Sequence, residues 1–330
     1  MNISVVIPTY NSRRLIGPCL ESVVGKDASA AETIVVDNGS TDGTINEVRG
    51  RFPGVAVVRN SRNLGASAAR NQGIAASHGA WVLCLDCDVV LQEGFLRHIK
   101  EAALRAGAHT GMIQSKILYA DGRRIFSTGI ELDAARRFFD RGKGRFDRGR
   151  FDRRQDVFGA CAAAALYRRA MLDDVRDSHG YFDERFFFLV EDVDLAWRAH
   201  KKGWRGVFCP RAVCHHEADS SRTGILLRQR LCLRNRRLMM KKNETFFGSL
   251  LPGFLFPFYD LPRLAYVTLA GGFSRCPSFF IQKKQSAGRS YGCGAPEGAE
   301  GERDMEATMP ARSHQAEAAS GKKKEMSQRF

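Results

Sequence analysis

Four short apolar runs, each separated from the next by a segment that can form a helix, constrain the fold of this chain more than any other feature. The runs are Ile3–Ile7, Thr33–Val36, Val55–Val58 and Trp81–Leu85. The helix-compatible segments are Arg13–Val24, Thr44–Arg51 and Ala66–Ser77. Uninterrupted runs rich in β-branched residues suit strands that are buried on both faces, and strands that alternate with helices build a parallel sheet. The sequence therefore predicts an α/β fold with a doubly wound, mostly parallel sheet.

Polar residues follow each of the four apolar runs. They are Pro8-Thr9-Tyr10-Asn11, Asp37–Gly43, Asn60–Gly65 and Asp86-Cys87-Asp88. In an open parallel sheet, ligands bind beyond the carboxyl ends of the strands, where loops and helix N-termini gather. We therefore expect the functional site among these four segments.

Asp86 and Asp88 are the strongest candidates for chemistry. They stand two positions apart after an apolar strand, so in an extended backbone their side chains project to the same side. Paired carboxylates suit a hard cation such as Mg²⁺ or Mn²⁺, which prefers oxygen ligands and can also bind phosphate oxygens. Cys84 and Cys87 form one Cys-x-x-Cys pair at the same place, but a redox role is the weaker interpretation beside the two carboxylates.

Asp37 and Arg70 are candidates for contacts with a nucleotide. Asp37 could accept a hydrogen bond from a base N–H or a ribose hydroxyl, or it could cap the next helix, and the sequence leaves these alternatives balanced. The first strand is followed by no G-x-G-x-x-G fingerprint, and the sequence contains no P-loop. Phosphate must then be bound in another way. The candidates are the metal pair Asp86/Asp88 and Arg70, whose guanidinium matches the geometry of phosphate oxygens.

Two further pairs of residues carry alternatives that the sequence leaves open. Glu191 and Asp192 begin the amphipathic helical segment Glu191–Lys202. The helix macrodipole explains acidic residues in a first turn, while a functional interpretation makes one of them a general base whose pKa is adjusted by burial. His215 and His216 are either structural or able to complete a metal shell through a neutral imidazole.

The remainder of the chain is less regular. Met112–Leu118 and Arg124–Ile130 predict a hairpin. Arg136–Arg154 carries too much charge and glycine to be core, so we expect a mobile loop there. The expected domains are a catalytic domain over 1–225, a helical, membrane-compatible appendage over 226–285 and a disordered tail over 286–330.

Composition limits the partners and the setting. The net charge of +15 favours polyanionic partners, such as phosphate-bearing substrates, anionic lipids or nucleic acid. No signal peptide is visible, and no apolar stretch reaches the roughly 18–20 residues that span a bilayer. The nine cysteines lack the density of a disulfide scaffold. We therefore expect a cytoplasmic protein, compatible with peripheral contact on the inner face of the cytoplasmic membrane.

Five motifs in order make the sequence resemble the family 2 glycosyltransferases, in particular their bacterial rhamnosyltransferase-like branch. They are SVVIPTYN (Ser4–Asn11), IVVDNGSTDGT (Ile34–Thr44), NLGASAARNQGI (Asn63–Ile74), LDCDVVL (Leu85–Leu91) and FDERFFFLVEDVDLAWRAHKKGW (Phe182–Trp204). The resemblance runs from about Ile3 to Asn243. It implies a GT-A fold with a Rossmann-like nucleotide-binding half, and an inverting glycosyltransferase of the hexosyltransferase class.

The resemblance also implies roles for single residues. Those implied to contact the nucleotide-sugar are Pro8, Thr9, Tyr10, Asn11, Asp37, Asn63, Arg70, Asp86 and Cys87. Asp88 is implied to bind Mg²⁺ or Mn²⁺, with Asp86 and His215 as further ligands. Asp192 is implied to be the catalytic base, with Glu191 supporting it.

The activity implied by the resemblance is transfer from a UDP- or dTDP-sugar, such as dTDP-rhamnose, to a hydroxyl group. The acceptor would be a glycan or a lipid-linked molecule in the synthesis of cell-surface polysaccharide. A nucleotidyltransferase would instead be expected to carry a Gly- and Lys-rich phosphate loop near the first strand, which PTYNSRR is not. A basic module that binds nucleic acid or lipid would explain the charge but not the carboxylates, and nucleic acid is not an expected partner.

Overall fold

The computed structural model describes residues 2–25, 32–153, 155–217, 224–245 and 250–270. The chain separates into two compact units, Met1–Ser274 and Arg275–Phe330, and every described residue belongs to the first. The tail predicted over 286–330 therefore lies outside the described residues. The domain boundary at residue 225 stays a prediction.

The first four strands form the parallel sheet that the apolar runs predict. They are β1 (Ile3–Thr9), β2 (Glu32–Asp37), β3 (Ala56–Arg59) and β4 (Trp81–Leu85). The helices between them are α1 (Arg13–Val24), α2 (Thr44–Arg51) and α3 (Ala66–Ala76). β1 pairs in parallel with both β2 and β4, and its register places Thr9 opposite Asp37. The polar strand ends thus meet at one edge of the sheet.

The sheet continues beyond β4 with strands of mixed direction. The later elements are, in chain order, β5 (Val89–Leu91), α4 (Phe95–Arg105), β6 (Thr110–Tyr119), β7 (Ile125–Ser127), β8 (Ile130–Leu132), β9 (Phe138–Asp140), β10 (Asp156–Val157), β11 (Ala164–Arg168), α5 (Arg169–Val175), α6 (Glu191–Lys201), β12 (Arg205–His216), α7 (Ile225–Asn243) and α8 (Leu250–Ala270). The order of the main sheet is β10-β12-β6-β11-β4-β1-β2-β3. β11 is antiparallel to both neighbours, whereas β12 is parallel to β6. The predicted α/β fold with a mostly parallel sheet is confirmed.

The core lies on both faces of this sheet. Val5 and Ile7 of β1 pack in one buried cluster with residues of α1 and α4, whereas Val6 packs in a second cluster with residues of α3, α5 and α6. This alternation follows from the two-residue period of a strand. A Cβ at Gly73 of α3 would come within 2.2 Å of the side chain of Val6, so glycine there lets the helix approach the sheet.

The charged segment from Arg136 differs from the predicted mobile loop. β9 lies within it and pairs antiparallel with β8. The guanidinium of Arg141 is buried and donates hydrogen bonds to the Thr128 carbonyl. Lys116 of β6 forms ion pairs of 3.0 Å with Asp147 and 2.8 Å with Asp152. The charged side chains of the segment therefore hold it against the sheet. The predicted hairpin is present, because β6 and β7 pair antiparallel.

Two helices close the described part of the chain. α7 packs against α6, and α8 packs against α7. The buried side chain of Asp260 on α8 forms an ion pair with Arg236 on α7. Among the described residues, no helix is long and apolar enough to cross a membrane.

Candidate active site

Two carboxylates and one imidazole meet at the carboxyl end of β4. Asp86 and Asp88 follow β4 directly, and β5 then pairs antiparallel with the end of β12, which places His216 opposite Val89. One ligand atom from each of Asp86, Asp88 and His216 lies within 4.8 Å of the other two. A strand that is distant in sequence thus adds a nitrogen donor to the predicted carboxylate pair.

The electrostatics of this cluster favour a cation. His216 is 8% exposed, and its Nε2 lies 3.2 Å from Oδ1 of Asp88. Burial acts to lower the pKa of His216, but the hydrogen bond to Asp88 and the two aspartate charges outweigh it and raise that pKa. Burial raises the pKa of Asp86, and the charge of Asp88 adds to this effect while Arg70 opposes it. Two carboxylate oxygens and one imidazole nitrogen fit Mg²⁺ or Mn²⁺, whose charge would replace the proton on His216.

The predicted ligand His215 does not join this cluster. Its Nε2 lies 2.7 Å from Nε2 of Gln92, and its ring lies beside Gly122. Successive residues of a strand project to opposite faces, so only one of the two histidines at the end of β12 can face Asp88. The expectation is therefore corrected to His216. The sequence indicated that a histidine could join the carboxylates. It did not indicate the register between β5 and β12, which decides that this histidine is His216.

Arg70 is occupied by protein carboxylates. Its side chain is almost completely buried, and it donates from Nη1 to Oε1 of Glu191 at 2.6 Å and from Nη2 to Oδ1 of Asp86 at 2.7 Å. Its Cζ lies 5.7 Å from the ring centroid of Phe182. A buried guanidinium with both terminal nitrogens engaged is poorly placed to bind a diphosphate. In the structure Arg70 links Asp86 to Glu191, and its predicted contact with the nucleotide-sugar stays a prediction.

Asp192 lies in the first turn of α6 beside this link. Its Oδ2 accepts a hydrogen bond of 3.2 Å from the backbone N–H of Ala162. Burial, followed by the charge of Glu191, raises the pKa of Asp192 to about 7. Glu191 is itself 4% exposed and is held by Arg70. A carboxyl group with this pKa can accept a proton near neutral pH, which is what a general base requires.

Residues at the ends of β1 and β2 form a polar wall beside this carboxylate cluster. Asp37 is fully buried and accepts a hydrogen bond of 3.1 Å from the backbone N–H of Ser40. Asn11, which has a φ of 49°, receives the backbone N–H of Thr41 on its Oδ1 at 2.9 Å. The hydroxyl of Thr9 is buried and has no hydrogen-bond partner within the described structure. A buried hydroxyl without a partner is costly unless a ligand or water completes it.

The other predicted nucleotide contacts are distributed around this wall. Pro8 is buried within β1 opposite Val36, and Tyr10 is 47% exposed. Asn63 accepts the backbone N–H of Gly65 at 2.9 Å, in the turn that precedes α3. Nothing in these contacts assigns a ligand to any of the three side chains.

Cys87 lies between the two aspartates and remains a thiol at neutral pH. Its Sγ donates a hydrogen bond of 3.1 Å to Oγ of Ser12. Burial, followed by the charge of Asp88, raises the pKa of Cys87 to about 12. The seven cysteines in the described part of the chain form no disulfide, so Cys84 and Cys87 are not paired.

Two residues that the sequence left without a role lie near the site. Asp140 of β9 contributes to the raised pKa of Asp192, and Lys143 forms an ion pair of 2.8 Å with Asp140. Nζ of Lys143 also lies 4.5 Å from the ring centroid of Phe126, which packs edge-on against His216. The charge pattern of this segment is typical of a solvated loop. The pairing of β8 with β9 brings the segment to the site, and no local pattern in the sequence indicates that pairing.

The backbone just before α6 is strained. Phe187, Leu189 and Val190 have φ values of 63°, 70° and 76°. Positive φ costs about 1–3 kcal/mol for each non-glycine residue, and most for a β-branched residue such as Val190. Such a conformation persists only where surrounding contacts hold it, and strain of this kind clusters at functional sites.

Comparisons with known proteins show the family of this chain. The family model described as Glycosyl transferase family 2 matches residues 4–176. The chain is 31% identical over 245 residues to the N-acetylglucosaminyl-diphospho-decaprenol L-rhamnosyltransferase of Mycobacterium tuberculosis, in an alignment that covers 66% of this chain and 77% of that one. It is 28% identical to an uncharacterized protein of Sinorhizobium fredii, over 67% of this chain but 25% of that protein.

A solved structure also resembles the fold. The mannosyltransferase PcManGT of Pyrobaculum calidifontis, determined in complex with GDP-Man and Mn²⁺, matches with a TM-score of 0.54 at 18% identity. The match covers 82% of this chain and 74% of that one. At this identity the likeness shows the fold alone, and it confirms the GT-A fold that the motifs imply.

Proposed function

This chain belongs to glycosyl transferase family 2 and is a glycosyltransferase, and we propose that it moves a sugar from a UDP- or dTDP-sugar to an acceptor hydroxyl with inversion. The sugar class proposed is a hexose or deoxyhexose such as rhamnose, because the mycobacterial relative is named a rhamnosyltransferase. The product would belong to cell-surface polysaccharide synthesis.

One observation carries this proposal. Asp86, Asp88 and His216 form what we call the carboxylate–imidazole cluster. Arg70 donates hydrogen bonds both to Asp86 of this cluster and to Glu191, the neighbour of Asp192. A cation-binding group and a carboxyl group with a pKa of about 7 are therefore held in fixed relation to each other. An inverting transfer can use such a pair, with the base at the attacking hydroxyl and the cation at the leaving diphosphate, on opposite sides of the anomeric carbon.

The proposed mechanism is a single displacement. Asp192 takes the proton from the acceptor hydroxyl, whose oxygen forms a bond to the anomeric carbon as the bond from that carbon to the diphosphate breaks. The proton ends on Asp192, and the nucleoside diphosphate leaves with the electron pair. Burial and the charge of Glu191 hold the pKa of Asp192 near 7, although the charge of Arg70 acts to lower it. A divalent cation bound by Asp86, Asp88 and His216 would supply neutralisation of the charge on the leaving diphosphate.

A donor screen tests the proposal. Binding of UDP-, dTDP- and GDP-sugars to the full chain is measured by calorimetry, with Mn²⁺ and with EDTA. We expect one UDP- or dTDP-sugar to bind at least about tenfold more tightly with Mn²⁺, because the cation offsets repulsion between phosphate and the aspartates. Equal binding in EDTA would contradict the metal site. Preference for a GDP-sugar would contradict the proposal that the donor carries a uridine or thymidine diphosphate.

A lipid-linked acceptor and a peripheral membrane contact form the second part of the proposal. The polar side chains of Asp260 and Arg263 on α8 contact α7, while the opposite side of α8 exposes apolar side chains. These are Phe254, Phe258, Leu261 and Leu269. α7 carries seven basic residues and no acidic one. An exposed apolar face beside a basic helix fits the surface of an anionic bilayer.

Vesicle binding tests this surface. We expect the full chain to sediment with vesicles that contain anionic phosphatidylglycerol, and the double variant Phe254→Glu/Phe258→Glu to lose at least about tenfold in partitioning. Leu104→Glu is the matched control, because Leu104 is a similarly exposed apolar residue at 65%, on α4. Equal loss in the control, or vesicle-independent dimerisation that the double variant abolishes, would refute a bilayer as the partner.

A further inference from the structure

We propose that Asn235 of α7 is a positioning residue for glycosyl transfer, because it holds the strained backbone of residues 186–190 that presents Glu191 and Asp192. Nδ2 of Asn235 lies 3.0 Å from the carbonyl oxygen of Phe186 and 2.8 Å from those of Phe188 and Leu189. Asn235 is completely buried. This inference rests on the proposed role of Asp192 as base.

The amide of Asn235 is oriented by a neighbour. Arg234 donates from Nη1 to Oδ1 of Asn235 at 2.9 Å and to the carbonyl of Arg185 at 3.0 Å. Oδ1 is therefore engaged as an acceptor, and the donor Nδ2 must face the three carbonyls. Aspartate at this position would present only acceptors to those carbonyls, so the position requires a donor.

The strained segment has little support of its own. Glycine, which tolerates positive φ, is absent from residues 186–190, where Phe187, Leu189 and Val190 have positive φ. The carbonyl of Phe187 receives the backbone N–H of Ala66 at 2.7 Å from the start of α3. Val190 and Phe186 also pack in one cluster with Ile130 of β8 and Trp197 of α6. α7 contributes Met239 to that cluster, and through Asn235 it adds hydrogen bonds to three carbonyls of the segment.

The consequence for the reaction follows from the position of this segment. Val190 is the last residue before Glu191, and its αL conformation sets the direction in which α6 begins. A shift there would move Asp192 relative to Asp86, and misplacement of about 1 Å can cost on the order of 100-fold in rate. Donor contacts at the ends of β1 and β2 would be unaffected.

The same helix offers a matched control in Asn243. Asn243 is 2% exposed, lies two turns along the same side of α7, and donates from Nδ2 to Oδ1 of Asp194 at 2.6 Å. It thus anchors α7 to α6 without touching the strained segment. A purely structural role for Asn235 would make the two asparagines equivalent.

The experiment compares Asn235→Ala with Asn243→Ala in the full chain. We expect Asn235→Ala to lower kcat at least tenfold while the dissociation constant of the donor changes less than about threefold. Asn243→Ala should lower the melting temperature by a similar amount and keep kcat within about threefold. Parallel losses of kcat and melting temperature in both variants, or full kcat in Asn235→Ala, would overturn the inference.

The pH dependence of kcat separates a positioning role from a loss of stability, because a loss of stability alone would not shift it. The groups that face Asp192 are Glu191 on its own helix, Asp140, Arg70, Cys161 and Tyr167. Loosening the segment admits water, so the acidic limb of kcat should move to lower pH in Asn235→Ala and stay in place in Asn243→Ala. An unchanged limb in both would contradict a positioning role.

Failure of Asn235→Ala to fold and inactivity of the wild-type chain can each be told apart from failure of this inference. If Asn235→Ala does not fold, Asn235→Ser keeps one donor, and we expect a kcat between wild type and one-tenth of it; a wild-type value would overturn the proposal. Failure of the wild-type chain to transfer any sugar refutes the proposed function instead, whereas an active wild type with an unaffected Asn235 variant refutes only this inference.

Discussion

Replacement of Asp192 by asparagine should abolish most transfer while leaving the donor bound. Asparagine keeps the size of the side chain but cannot take the proton of the acceptor hydroxyl. We expect kcat to fall by about 10²- to 10⁴-fold, the range that a general base contributes. The dissociation constant of the nucleotide-sugar, measured by calorimetry, should change less than about threefold. Turnover within tenfold of wild type would remove Asp192 from the role of base.

The pH dependence of the same residue gives a second expected result. Because burial raises the pKa of Asp192 to about 7, kcat of the wild type should rise as the pH passes through about 7. The native state also holds this proton more tightly than the unfolded chain, so the residue lowers stability as pH rises from about 4 to 7. Asp192→Asn should therefore be more stable than wild type at pH 8, on the order of 4 kcal/mol for a pKa raised from 3.8 to about 7, with the gap closing toward pH 4. A gap independent of pH would contradict the raised pKa.

Loss of the cation site should be the other large effect. We expect Asp88→Ala and His216→Ala each to weaken Mn²⁺ binding by at least about 100-fold, since each removes one ligand from a set of three. His215→Ala is the matched control, because His215 is adjacent in sequence but contacts Gln92. The titration uses Mn²⁺ alone, followed by its paramagnetic resonance signal.

The comparison between the two histidines decides the ligand set. Retained affinity in His216→Ala together with a loss in His215→Ala would reverse the assignment made from the structure. Equal affinity in all three variants and wild type would remove the carboxylate–imidazole cluster as the metal site.

Much of the site was predictable because it depends on local order along the chain. Asp86 and Asp88 follow an apolar strand at a spacing of two, and parallel strands bring their carboxyl ends together. Asp37, Glu191 and Asp192 follow from equally local signals. Their roles as binding and catalytic residues remain predictions that the experiments above address.

What was missed depends on contacts between distant segments. Arg70 looked free to bind phosphate, because nothing near it in sequence shows that Glu191 lies 2.6 Å from it. The charged segment from Arg136 looked mobile, although Lys116 of β6 pairs with Asp147 and Asp152, which lie 31 and 36 residues further along the chain. Charge patterns indicate exposure only when no partner folds against them.

The sequence by itself determined the α/β fold, the alternation of its first four strands with helices and the polar strand ends, because these follow from periodicity and turn chemistry over a few residues. The tertiary structure alone decided that His216 rather than His215 faces Asp88, that Arg70 links Asp86 to Glu191, and that Asn235 supports the backbone before α6. The physical reason is that strand register and helix packing are set by the summed burial of many side chains, which no local pattern encodes.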